Sequence, residues 1–153
     1  RLDDATVVTT ATRGHPDHTD AEVLLKGPEL ALPDGISYLD KDGTERREAR
    51  FAWWQPDATT YRRGALIPEG SRTPQGGAMA ELPDRPIPAL PAVPYRDGVP
   101  LFVGHYWRTG PPSLLGPHVA CVDYSAGKGG PLVAYRWDGE QRLDPARFVA
   151  HAG

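Results

Sequence analysis

Eleven of the 17 prolines fall between Pro68 and Pro117. Proline locks φ near −65° and brings no N–H to a helix or a sheet ladder. That stretch is therefore closed to long helices and to central strands. Its middle, Pro83-Asp84-Arg85-Pro86-Ile87-Pro88-Ala89-Leu90-Pro91, predicts an extended or polyproline path over a surface. Such a path serves either as a ligand for a proline-reading domain or as a rigid connector. The reading adopted is a connector over residues 68–98. Regular structure is then expected on its two sides.

The 153 residues suit one domain, or one large piece of a domain. Gly and Pro contribute 17 residues each, short of a low-complexity chain. A net charge of −3 leaves no electrostatic footprint for nucleic acid, so no nucleic-acid partner is expected. No apolar run approaches the ~18 residues of a membrane span, and no signal-peptide pattern stands out. A cytoplasmic protein with no membrane partner is the expectation. The single cysteine, Cys121, excludes an internal disulfide framework. Arg outnumbers Lys 14 to 3 and Asn is absent, which reads as a GC-rich coding bias. The chain opens on Arg1 rather than Met, so an upstream portion is expected.

Residues 1–20 read as a polar, irregular lead-in. Thr19 or Asp20 is placed to cap a short helix with Val23, Leu24 and Leu25 on its apolar side, stopped by Gly27-Pro28. Ile36 to Asp40 reads as a strand, turned by Asp42-Gly43 into a return strand from about Arg46 to Trp54. Asp40-Lys41-Asp42-Gly43 also opens like a calcium loop. The closing Glu of such a loop would fall near Phe51 and is missing, so the hairpin is preferred. Beyond the prolines, Leu101–Gly104, Val119–Asp123 and Leu132–Trp137 read as short strands, with a last one from near Arg142.

Several side chains invite a chemical reading. His105 follows Gly104 just after an apolar strand, where ligand-bearing residues often sit in open sheets. A neutral imidazole there can hold a metal; packing among Tyr106 and Trp107 is the plainer alternative. His15 and His18 could share a metal. His118, Asp123 and Ser125 suggest a triad but lack an oxyanion-hole signature. Gly127-Lys128-Gly129-Gly130 suggests a phosphate loop, yet the flanking Walker residues are wrong, which favours a glycine-rich turn. Cys121 reads as a small core residue. Arg50 and Arg62, near Trp53-Trp54, could meet a substrate phosphate through their planar forks, or simply pack and face solvent.

Gly104-His105-Tyr106-Trp107, followed by Val119 through Trp137, resembles the C-terminal part of bacterial calcineurin-like metallophosphoesterases. It is similar to the ends of symmetrical diadenosine tetraphosphatases and of bacterial relatives of serine/threonine phosphoprotein phosphatases. Leu24–Glu29, Asp40–Gly43 and Arg50–Trp54 resemble the middle of the same relatives. The resemblance implies an α/β (α+β) fold: part of a two-sheet β-sandwich flanked by helices. It implies a phosphatase with two divalent metals (Mn, Fe, Zn, Ni or Co) and a phosphoester substrate, His105 being a metal ligand. The family's Asp-x-His, Gly-Asp-x-x-Asp and Gly-Asn-His motifs are missing, and Trp107 stands where some members carry a second His. The expectation is a single partial domain over 1–153 whose N-terminal half is missing, inactive by itself. The alternative is a non-catalytic binding or scaffolding fragment using the proline-rich stretch.

Overall fold

Asp3 opens the first helix, its carboxylate accepting the Thr6 N–H at 2.8 Å. The computed structural model describes residues 3–91 and 95–151. Residues 1–2 of the expected lead-in and 92–94 of the expected connector lie outside the described residues. The fold is mixed α+β, with three helices and small sheets. It divides into two compact units, Arg1–Pro94 and Tyr95–Gly153.

In the first unit, α1 (Asp4–Ala11) and α2 (Pro16–Lys26) pack as a helical pair. The expected irregular lead-in is thus corrected: it is helical. The threonines and valines of α1 are weak helix formers, and the Asp3 cap offsets them. The hydroxyls of Thr10 and Thr12 bond back to the carbonyls of Thr6 and Val8. The start of α2 is corrected too, from Thr19 or Asp20 to Pro16. His15 caps it through Nδ1, which accepts the Asp17 N–H at 3.2 Å, and Pro16 supplies a preset φ at the first position. Gly27, at φ 81°, ends the helix as expected. The apolar side of α2 is bare: Leu24 is 86% and Leu25 73% exposed.

Strands β1 (Glu29–Ala31), β4 (Glu48–Phe51) and β5 (Ala65–Leu66) form one antiparallel sheet with β4 in the centre. Leu30, Ala49 and Phe51 point into the core with Tyr38, Trp54 and Tyr61. The short helix α3 (Tyr61–Gly64) follows, and Gly64 lies tight against Phe51 and Ile87. The proline-rich stretch is tied to this core: Leu82 and Ile87 are buried, and the Ile87 N–H bonds to the Thr59 carbonyl at 2.9 Å.

The expected hairpin turns as β2 (Tyr38–Leu39) against β3 (Glu45–Arg46), with Gly43 at φ 78°, but the expected return strand from Arg46 to Trp54 is corrected: its later part is β4, which pairs in the other sheet. The Asp40 carboxylate organises its turn, accepting the N–H groups of Asp42 and Thr44 at 2.9 Å each and Arg46 Nε at 2.8 Å. The Thr44 N–H, aided by Arg46 and Asp42, holds the Asp40 carboxyl below the usual carboxylate range. A carboxyl depressed on folding contributes stability above its unfolded pKa of about 3.9, lost as the pH falls through the lower folded value. The Thr44 amide resonance should titrate with a midpoint below 3.9 and stay still in Asp40→Asn. A midpoint at or above that value would contradict the turn geometry.

In the second unit, β6 (Leu101–Val103) runs parallel to β8 (Val119–Cys121), and β7 (Leu114–Gly116) lies antiparallel on the other side of β8. The central strand β8 is buried at all three residues. A separate antiparallel pair joins β9 (Leu132–Tyr135) to β10 (Phe148–His151). The final strand is therefore corrected from Arg142 to Phe148. Leu143 is a lone buried anchor, its N–H bonded to the Pro117 carbonyl at 2.9 Å, and Asp144 caps a single turn through Pro145–Arg147. Among the described residues no helix is long and apolar enough to cross a membrane.

Candidate functional site

Because β6 and β8 are parallel and in register, their carboxyl ends lie side by side. The chain leaves β6 through Gly104 and His105, and leaves β8 through Val122 and Asp123. One more ladder bond, Val122 N–H to the Val103 carbonyl at 3.0 Å, holds the two exits together. His105 and Asp123 meet there, although 18 residues separate them.

The contact is between the His105 backbone and the Asp123 side chain. Oδ2 of Asp123 accepts the His105 N–H at 2.8 Å, and Oδ1 accepts the Ser125 N–H at 3.0 Å. The Asp123 carbonyl accepts the Arg108 N–H at 3.0 Å. One aspartate thus ties both exit loops.

Those loops carry backbone strain. Among the described residues, the non-glycine residues with positive φ are His105 (68°), Trp107 (44°) and Ser125 (63°). All three belong to this site. Left-handed backbone outside glycine costs about 1–3 kcal/mol per residue and persists only where the surroundings over-determine it. Gly104, by contrast, does not adopt positive φ, and a Cβ on it would meet Asp123 Cβ at an ordinary 3.8 Å. The left-handed turn thus falls on the histidine, not on the glycine before it.

The His105 and Trp107 rings meet edge to face, centroids 5.4 Å apart. Trp107 is about half exposed, and Lys128 Nζ lies 4.6 Å from its ring centroid. Lys128 reaches it from the turn Ala126–Lys128, so the Gly127–Gly130 segment is a glycine-rich turn, as expected. Below the site, Tyr124 is buried and its hydroxyl accepts the Ser113 N–H at 2.9 Å. Gly130 packs so closely there that a Cβ would lie 2.0 Å from the Tyr124 carbonyl oxygen.

The other candidates have structural duties. Arg50 Nη1 bonds to the Gly27 carbonyl at 3.1 Å and to Glu29 at 3.0 Å. Arg62 Nε bonds to the Leu82 carbonyl at 3.1 Å, with Glu81 at 3.7 Å. Both guanidinium groups thus bind within the first unit. His18 Nδ1 pairs with the Thr10 carbonyl at 2.8 Å, joining α1 to α2, while His15 caps α2. His118 Nδ1 pairs with the Gln141 carbonyl at 2.7 Å, and Asp123 spends its oxygens on amides, so no triad forms. Cys121 is fully buried, and desolvation pushes its thiol pKa up, as befits a core residue.

Asp123 enters the sequence reading as a triad candidate; what that reading does not show is its clasp on two loop amides. The trace it leaves is local: an aspartate just past an apolar strand, two residues before Ser125, forms an Asx turn. Its longer bond to His105 has no such trace.

A neutral imidazole can ligate a divalent metal when other donors stand beside it. Among the described residues, no three His, Cys, Asp or Glu side chains are grouped to hold one. His105 therefore belongs to no complete metal centre among the described residues. Compared with protein-family models, with curated proteins and with solved structures, the chain matches none.

Proposed function

We propose that this chain is the C-terminal part of a calcineurin-like metallophosphoesterase and that His105 supplies one of its metal ligands. The observation that carries the proposal is His105 itself. It stands at the carboxyl end of β6 in a left-handed conformation, with its N–H fixed by Asp123. Strain of this kind concentrates at functional sites. In this reading the complete domain is a two-sheet β-sandwich flanked by helices, and its N-terminal half brings the remaining ligands.

When bound, two divalent cations (Mn, Fe, Zn, Ni or Co) neutralise a phosphoester and acidify a water. The chain's own part is to present one imidazole and to keep the strand ends in place. The exposed apolar residues Val23, Leu24 and Leu25 are consistent with a missing half that covers them. The same exposure also favours a second reading, a non-catalytic fragment that binds a partner through α1 and α2.

The two readings separate in one assay. The complete natural protein should hydrolyse 4-nitrophenyl phosphate in Mn²⁺ and lose that activity to a chelator. Its coding sequence should carry Asp-x-His, Gly-Asp-x-x-Asp and Gly-Asn-His upstream of Arg1. Motifs missing from the frame, with no metal-dependent turnover, would leave the binding reading in possession.

A further inference from the structure

We infer that Asp123 is the positioning residue of the site: it holds the His105 loop in the conformation that presents the imidazole. This rests on the reading of His105 as a metal ligand. Three observations lead to it. Both carboxylate oxygens are used on backbone N–H groups, one from each exit loop, at 2.8 and 3.0 Å. The residues that donate, His105 and Ser125, are both left-handed. The Asp123 backbone carbonyl takes a third loop amide, from Arg108.

The chemistry explains why an aspartate is needed. Positive φ is uncommon outside glycine, although histidine visits it more readily than most residues, so two such residues side by side call for an anchor. A carboxylate is acceptor-only, with two oxygens that can take two amides diverging from one point. Charge-assisted bonds of this kind are stronger than neutral ones. A serine in its place would reach one amide; an alanine, neither. Asp123 has no role toward substrate here. It acts through the His105 backbone, as outer residues of metal sites act on the ligands they orient.

The test compares Asp123→Ala, Asp123→Asn and His105→Ala in the complete natural protein. One readout is Mn²⁺ affinity, from free Mn²⁺ in a titration. The other is amide hydrogen exchange at His105 and Ser125. Asp123→Ala should weaken Mn²⁺ binding by about 10–100-fold and speed exchange at both amides. Asp123→Asn keeps one acceptor oxygen and should fall between it and wild type; it carries the test if the alanine variant does not fold. Unchanged affinity in both Asp123 variants, with binding lost in His105→Ala, overturns the positioning role and leaves the ligand reading standing. Full Mn²⁺ binding in His105→Ala overturns the ligand reading, and the positioning role with it.

Discussion

Gly130→Ala should lower the melting temperature by roughly 6–12 °C. The added Cβ would sit 2.0 Å from the Tyr124 carbonyl oxygen and 3.1 Å from two backbone atoms of Ser125. Those neighbours are backbone, so no rotamer change relieves the clash. The turn holds itself with Lys128 and Gly130 N–H groups on the Ser125 carbonyl, at 2.8 and 3.1 Å. Opening it would pull on Tyr124, which is 2% exposed. Overpacking a tight site costs about 1–3 kcal/mol, and rigid backbone neighbours put this case near the upper end. At ~2–4 °C per kcal/mol for a chain of this size, the stated shift follows. Gly127→Ala is the matched control, since a Cβ there meets nothing within 4 Å. Thermal melts followed by circular dichroism read both; equal melting temperatures would contradict the packing described.

His105→Ala should reduce metal-dependent hydrolysis of an aryl phosphate by more than ~100-fold in the complete natural protein. Altering a residue that merely supports a metal ligand typically costs 10–100-fold, and removing the ligand should cost more. The fold should survive, because the loop bond runs through the His105 backbone N–H, which alanine retains. His105→Ala is thus expected to separate activity from stability, whereas Gly130→Ala acts on stability first. Turnover within a few-fold of wild type would remove His105 from the site.

The difference between those two residues is also a difference in how far sequence can be read. The Asp42-Gly43 hairpin is visible because its chemistry is local: a glycine at positive φ and an aspartate within four residues of its partners. The strands of β6, β8 and β9 show as apolar runs. Helix α1 does not show, because its valines and threonines argue for extended chain while the Asp3 cap and hydroxyl bonds decide for helix. Strands β1 and β7, each set between prolines, do not stand out from their surroundings. A last strand is expected from near Arg142, but Leu143 there is a single anchor followed by a proline turn.

At the site, His105 stands out by type and by its place after a strand. Its conformation is not legible, since nothing in Gly-His-Tyr-Trp says that the histidine, rather than the glycine, makes the left-handed turn. Nor is the clasp of Asp123, because its bond to His105 exists only once β6 and β8 lie parallel. The proposed kinship with metallophosphoesterases points to the same histidine from its sequence alone. The strain and the clasp around it are independent of that likeness.

Metal content is the most direct check on the central claim, that His105 belongs to a two-metal centre. The complete natural protein, purified with Mn²⁺ and desalted, should carry about two metal ions per chain by elemental analysis. His105→Ala, still folded, should carry fewer. Equal metal content in the two proteins, or none in either, would contradict the claim.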